Sequence, residues 1–216
     1  MTSDAGSGDT THPAGWSELG VVARTGAVFL PAATLGTLGH ELGHWGMAKL
    51  QGCRPVLHFA SVSPGCPGRL GPEVEFWGVA AGPLSTLVCG SLGVLGLAWW
   101  RRRAVHLDFT GIAWTVLALF WSRPLFNTLV QLGSVALGMV PSERLQRSDE
   151  GRLSMMMEWP TMTLSWVCSL WAVGVIAWTA SQVPARVRGS WAAGAVSGAL
   201  AGFALWMGVL GPAWLP

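Results

Sequence analysis

The sequence predicts an all-α polytopic membrane protein with about five transmembrane helices and a short β element in the first loop. Hydrophobic residues make up 51% of the 216-residue chain and charged residues only 11%, whereas soluble domains carry about 25% charged residues. Five apolar stretches each reach the roughly 20 residues that a helix needs to cross the hydrocarbon core. The chain also has 14 tryptophans and no tyrosine, and many of the tryptophans flank apolar stretches, as interfacial anchors do.

The N-terminal residues, 1–15, are rich in Ser, Thr, Gly and Asp. Such a composition offers too little apolar surface for a packed core, so it predicts a disordered tail. Arg123 and Pro124 interrupt the third apolar stretch, and a proline inside a helix predicts a kink there. The charge of Arg123 is costly in lipid, so this side chain is expected to pair or to face a polar cavity. The five predicted spans have the approximate bounds 19–50, 76–100, 109–140, 161–183 and 191–210.

The loop between the first two spans, residues 51–75, contains a short apolar and partly alternating stretch at 55–63. A turn-rich Pro-Gly-Cys-Pro-Gly sequence follows it, and together the two predict one or two short strands. His58 lies in the apolar stretch and is expected to be a structural or surface histidine. Cys53 and Cys66 share the loop and could pair or bind a metal, but the expectation is two free thiols.

The end of the first span carries two histidines and a glutamate, His40, Glu41 and His44, inside a Gly-rich apolar segment. Ionisable side chains are costly at membrane depth, so this cluster predicts a functional site. On a helix, His40 and His44 lie one turn apart on one face and can bind one zinc ion. Glu41 points beside that face, where a carboxylate can take a proton from zinc-bound water.

A catalytic zinc site needs three protein ligands and one open position, so a third ligand must come from elsewhere in the sequence. With five spans, the end of the first and the end of the third lie on the same side of the membrane. The loop after the third span, residues 141–159, therefore brings its carboxylates to the histidines. Glu73 and Glu75 are alternatives, but their place at the start of the second span is typical of interface residues. The carboxylates of the loop are Glu143, Asp149, Glu150 and Glu158.

Three segments together resemble the site-2 protease family, intramembrane zinc metalloproteases that cut transmembrane substrates. Residues 39–44 read Gly-His-Glu-Leu-Gly-His and match the family's zinc-binding helix. Residues 81–86 read Ala-Gly-Pro-Leu-Ser-Thr and resemble its Gly-Pro-x-x-Asn segment. Residues 148–153 read Ser-Asp-Glu-Gly-Arg-Leu and resemble the Leu-Asp-Gly-Gly-Arg-Leu element that supplies the third ligand. Aligning the shared Gly-Arg-Leu places that ligand at Asp149, with Glu150 as the next candidate.

The resemblance covers about residues 28–157. It implies a zinc metalloprotease-like membrane core at 16–160, with two additional transmembrane helices at 161–216. Thr86 stands where the family has Asn, and Ser148 stands where it has Leu. The residues to which the resemblance assigns substrate positioning are Gly82, Pro83, Thr86 and Asn127.

The function that the resemblance implies is hydrolysis of peptide bonds in transmembrane or membrane-associated proteins. His40, His44 and Asp149 would bind one zinc ion, and Glu41 would activate the zinc-bound water. The expected partners are the lipid bilayer, a transmembrane protein substrate and a regulatory membrane protein. A composition rich in Gly, Ala, Trp and Arg with almost no Lys is compatible with a multi-pass protein of the bacterial cytoplasmic membrane.

Two other function classes remain open for a chain with this zinc-binding helix. One is a non-proteolytic metal-binding or transport protein, and the other is a membrane scaffold with a vestigial site. The need for Glu41 distinguishes a protease from these two classes, because only hydrolysis requires a base at that position. Nucleic acid is not an expected partner, since the net charge is only +2 and no basic domain is present. Basic residues divide equally between the two sides of the predicted bundle, so they do not fix its orientation in the membrane.

Overall fold

The computed structural model describes residues 17–68, 71–104 and 106–215. The predicted all-α architecture is confirmed. Within the described residues, five helical segments are long and apolar enough to cross a membrane, and β structure is limited to one two-stranded hairpin. The predicted tail at 1–15 lies outside the described residues. The five segments are Glu18–Leu50, Pro72–Arg101, Phe109–Ala136, Thr163–Gln182 and Ala185–Trp214.

The first span consists of two helices, α1 (Glu18–Phe29) and α2 (Ala32–Leu50). Ser17 caps α1, because its hydroxyl accepts a hydrogen bond from the backbone N–H of Gly20 at 3.2 Å. The break between the helices falls at Pro31, which has no backbone N–H and whose ring crowds the preceding turn. The apolar pattern did not predict this break, since it runs without interruption through the proline.

The first loop forms an antiparallel hairpin of β1 (Val56–His58) and β2 (Ser61–Ser63), which confirms the predicted strands. His58 is a half-buried residue of this hairpin, and its Nε2 lies 3.1 Å from the hydroxyl of Ser63. The tip of the hairpin contacts the end of the chain. The backbone N–H of Phe59 donates to the carbonyl of Leu215 at 3.0 Å. The hairpin is thereby connected to the last span.

Cys53 and Cys66 form a disulfide, so the expectation of two free thiols was wrong. The hairpin brings together the residues that flank its strands, and the N–H of Arg54 donates to the carbonyl of Gly65 at 3.1 Å. Gly65 has a φ of +58°, and a Cβ there would collide with the backbone of Arg54. Glycine alone permits this close approach. The sequence showed that both cysteines lie in one loop, but it did not show that the loop folds back on itself.

The second span is a single helix, α3 (Pro72–Arg101), whereas the third is interrupted. It consists of α4 (Phe109–Ala118), a 3-10 turn (Leu119–Ser122) and α5 (Arg123–Ala136). The change of helix type comes just before Pro124, which lies in the first turn of α5. The interruption matters for the site described below, because α5 contributes polar side chains to it.

The remaining helices follow the third span. They are α6 (Asp149–Met156), α7 (Thr163–Gln182), α8 (Arg188–Leu205) and α9 (Gly211–Trp214), with a π-helical turn at Trp206–Leu210 between the last two. α6 is a short helix between the spans. α8 packs closely on α1, because a Cβ on Gly198 would collide with the backbone of that helix.

The largest cluster of buried apolar side chains lies where the first span begins and the second ends. Val21, Leu97, Trp100 and Ile112 are each at most 4% exposed and form its centre. His40, Glu41 and His44 lie in the second half of the first span. The apolar cluster thus stabilises the part of the bundle that is distant from these three residues.

Candidate metal centre

The two histidines of α2 lie on one face of that helix. His40 is only 2% exposed, and the ring centroids of His40 and His44 are 4.8 Å apart. Their Nε2 atoms are separated by 3.2 Å. This face packs against α3, and a Cβ on Gly43 would collide with the backbone of Ala81. The small residue allows the two helices to approach closely enough for α3 to contact the imidazoles.

Asp149 reaches the histidines from the first residue of α6. Ser148 caps that helix, because its hydroxyl accepts a hydrogen bond from the N–H of Gly151 at 3.1 Å. Oδ2 of Asp149 lies 2.9 Å from Nε2 of His40 and 3.3 Å from Nε2 of His44. The prediction that the loop after the third span meets the end of the first span is confirmed.

The three ligand atoms have the spacing that a metal ion requires. Their pairwise separations are 2.9, 3.2 and 3.3 Å. Ligand atoms 2.0–2.1 Å from a tetrahedral zinc ion would lie about 3.3 Å apart. In the part of the chain that the structure describes, His40, His44 and Asp149 form a group that could hold a metal ion, called the metal-ligating group here, and neither Glu150 nor another His, Cys, Asp or Glu joins it. The donor set fits a metal ion with one position open.

Each histidine is oriented by a hydrogen bond from its other ring nitrogen. Nδ1 of His44 donates to the carbonyl of Gly78 at 2.8 Å. Nδ1 of His40 lies 3.1 Å from the hydroxyl of Thr86, which itself donates to the carbonyl of Gly82 at 3.2 Å. The Thr86 oxygen therefore accepts from His40. With both Nδ1 atoms protonated, both Nε2 atoms can present lone pairs to a metal ion that displaces the protons of their hydrogen bonds with Asp149.

Gly82 of α3 lies directly against the metal-binding face. A Cβ at this position would collide with Nε2 of His44. The next turn of α3 is tied to α2 as well, since the hydroxyl of Ser85 donates to the carbonyl of Gly39 at 2.9 Å. The segment that resembles the Gly-Pro-x-x-Asn element thus contacts both histidines through Gly82 and Thr86.

Glu41 lies beside the metal-ligating group and is 5% exposed. Its Oε1 is 3.9 Å from a terminal nitrogen of Arg123, the first residue of α5. The sequence did not predict that Arg123 is part of this site. The sequence placed a costly charge in the third span, but it did not show which residue that charge faces.

Two carboxylates of α6 differ in their electrostatic surroundings. Burial alone would raise the pKa of Asp149, but hydrogen bonds with the imidazoles of His40 and His44 hold that pKa well below its usual range. Burial raises the pKa of the neighbouring Glu150, which has no such partner among those imidazoles. Asp149 is therefore ionised and suited to bind a cation, whereas the ionised form of Glu150 is disfavoured.

Two large cavities meet at Glu41 and Arg123. One has a volume of about 470 Å³ and is called the polar cavity here. The other has a volume of about 540 Å³ and is called the apolar cavity. The polar cavity is lined by Glu41, His44, Gln51, Arg123, Asn127 and Asp149. The apolar cavity is lined by Phe29, Val116, Phe120, Phe126, Leu200 and Phe203, with Glu41 and Arg123 at its wall.

The other predicted site residues fall around these cavities. Asn127 lies on α5 and lines both the polar and the apolar cavity. Pro83 lines a third, smaller cavity of about 300 Å³ together with His40, Thr86 and Arg123. The last two spans also contribute, since Ile176 of α7 and several α8 residues line the apolar cavity. That contribution was not predicted, because the side chains involved are ordinary apolar residues.

No family model, curated protein or solved structure matches the chain.

Proposed function

We propose that this protein is an intramembrane zinc metalloprotease that resembles the site-2 protease family. The proposal is carried by one observation. The ligand atoms of His40, His44 and Asp149 all lie within 4.8 Å of one another, and the buried carboxylate of Glu41 lines the same cavity as His44 and Asp149. Three of these four residues belong to a helix of the first span.

Zinc is the metal that the donor set favours. Two imidazole nitrogens, one carboxylate oxygen and an open fourth position are a typical catalytic zinc environment. When bound, zinc lowers the pKa of its water toward 7 and polarises a carbonyl group. The imidazoles donate hydrogen bonds through Nδ1 to the hydroxyl oxygen of Thr86 and the carbonyl of Gly78, which favours the tautomer that the metal needs.

Glu41 is the base in this mechanism. It takes a proton from the attacking water and later gives that proton to the leaving amine. Its position at the wall of both cavities supports this role. Water can approach through the polar cavity, and an apolar peptide segment can approach through the apolar cavity.

The substrate class is a transmembrane or membrane-associated protein whose helix is partly unwound at the cleavage point. A helical peptide bond is shielded by its own hydrogen bonds, so an extended segment needs polar partners in the site. Asn127 offers such a partner, since it lines both cavities. The bacterial cytoplasmic membrane is the location that the composition favours.

The test begins with zinc content and peptide cleavage in the detergent-purified full chain. We expect one zinc per chain in the wild type and in Glu41→Gln, and loss of zinc in Asp149→Ala. Cleavage of synthetic transmembrane peptides, followed by mass spectrometry, should occur with the wild type alone. Cleavage by Glu41→Gln would reject Glu41 as the base. A zinc-loaded wild type that cuts no peptide in a broad panel would favour the non-proteolytic metal-binding or scaffold alternatives.

A further inference from the structure

Arg123 is a cation inside the third span that the proposed mechanism does not yet use. Its side chain is 23% exposed, and its Nε is buried without a hydrogen-bond partner among the described residues. Burying a charged donor without a partner is costly. A ligand that supplies an acceptor oxygen would remove this cost.

Glu41 lies near Arg123 but does not occupy the hydrogen-bond donors of its guanidinium. A terminal nitrogen of Arg123 lies 3.9 Å from Oε1 of Glu41, which is longer than a hydrogen bond. An arginine whose role is to hold a carboxylate does so with short and often paired N–H···O bonds. The guanidinium has five N–H donors, so it can balance the charge of Glu41 and still donate to another oxygen.

Arg123 also lies where the cavities of the site come together. It lines the polar cavity, the apolar cavity and the smaller cavity that contains His40. A peptide that extends from the apolar cavity toward the metal-ligating group therefore passes this side chain. The oxygen atoms that such a peptide presents at every residue are its backbone carbonyls.

We infer that Arg123 hydrogen-bonds the carbonyl oxygen of the scissile peptide bond and stabilises the negative charge that this oxygen gains. The inference rests on the proposed proteolytic function and adds a catalytic residue to it. Water forms a bond to the carbonyl carbon, its proton passes to Glu41, and the carbonyl π electrons move to the oxygen beside Arg123. When the C–N bond breaks, the proton passes from Glu41 to the amine. Donors preorganised at developing charge contribute strongly to catalysis.

The probe is an apolar tripeptide phosphinate, in which a tetrahedral anionic phosphinate replaces the scissile amide. Its affinity for the zinc-loaded full chain is measured in detergent for the wild type, Arg123→Gln and Arg123→Lys. We expect Arg123→Gln to weaken binding about 10- to 100-fold, the range for a lost hydrogen bond to a charged group. Arg123→Lys keeps the positive charge but lacks the planar fork of donors. Its affinity for the phosphinate should therefore lie between those of the wild type and Arg123→Gln. Zinc content should equal that of the wild type in both variants.

A double-mutant cycle with Glu41→Gln separates ligand contact from simple charge balance. If Arg123 contacts the ligand, Arg123→Gln weakens phosphinate binding in the Glu41→Gln background too. If Arg123 acts only as the counter-ion of Glu41, its substitution has no effect once Glu41 is neutral, and the inference is overturned. Arg186→Gln removes an arginine at the other end of the bundle, where it contacts His106, and is the matched control.

The outcomes also separate this inference from the proposed function. Equal phosphinate affinity in the wild type and Arg123→Gln overturns the role of Arg123 and leaves the protease proposal intact. A zinc-loaded wild type that does not bind the phosphinate contradicts both. Should Arg123→Gln lose zinc, Arg123→Lys decides: full zinc content with weakened phosphinate binding supports the contact, and unchanged binding rejects it.

Discussion

The hydroxyl of Thr86 lies 3.1 Å from Nδ1 of His40 and connects that candidate metal ligand to α3. Thr86 is 4% exposed, so water cannot easily replace this hydrogen bond. The contact fixes the ring orientation from the side opposite the metal position. A hydroxyl at this place thus supplies the hydrogen-bond acceptor that orients the His40 imidazole.

We expect Thr86→Val to lower zinc affinity about 10- to 100-fold, the usual cost of losing a partner that orients a metal-binding histidine. Valine has nearly the same shape but cannot accept the hydrogen bond. Competition with a fluorescent zinc chelator gives the affinity. Thr179→Val is the matched control, because the buried Thr179 hydroxyl has no hydrogen-bond partner among the described residues. Equal zinc affinity in Thr86→Val and the wild type would contradict the orienting role.

Gly82→Ala should remove zinc binding, because the added Cβ would collide with Nε2 of His44. The imidazole would have to move away from the metal position, or α3 would have to move away from α2. Zinc content of the purified variant measures the effect. Gly174→Ala makes the same change in α7 where a Cβ meets nothing within 4 Å, and it should keep full zinc content. Full occupancy in Gly82→Ala would show that the helices separate at little cost.

Ser148→Ala should destabilise the start of α6 by about 1 kcal/mol, the typical cost of losing an N-cap. Because Asp149 is the next residue, zinc affinity should fall together with stability. Ser148→Asp keeps a capping oxygen and should restore both. Ser17→Ala removes a comparable cap from α1 at the other end of the first span, so it should lower thermal stability without changing zinc affinity. A Ser148→Ala variant with unchanged zinc affinity would mean that the cap does not position Asp149.

The disulfide between Cys53 and Cys66 predicts the side of the membrane on which the metal centre lies. Disulfides persist in oxidising compartments, so we expect the hairpin loop to face the outside of the cell. An impermeant maleimide should label intact cells only after treatment with an impermeant reductant. The Cys53→Ser/Cys66→Ser double variant should lose that labelling. Labelling that requires cell lysis would place the loop on the cytoplasmic side.

The pattern of the sequence predicted the residues that determine local structure and missed those whose role depends on packing. The four-residue spacing of His40 and His44 is a property of any α-helix, so their shared face followed from the sequence alone. The position of Asp149 came from the resemblance and from counting spans. Arg123 was recognised only as a costly charge, because no local pattern shows that α5 turns it toward Glu41.

The errors in the first loop and the first span have separate causes. The expectation of free thiols at Cys53 and Cys66 ignored the return of the chain through a glycine with positive φ at Gly65. The break at Pro31 was missed because the apolar pattern is continuous through it. Composition identifies a membrane segment, whereas proline and glycine determine where its backbone bends.

The separation of the metal ligands along the chain has a consequence for synthesis. His40 and Asp149 are 109 residues apart, and translation adds about 5–20 residues per second. The nascent chain therefore carries two imidazoles and a glutamate for roughly 5 to 20 s before the aspartate exists. During that interval the chain can bind a metal only through an incomplete ligand set. Synthesis of Asp149 thus sets the earliest moment at which the complete set of three candidate ligands exists.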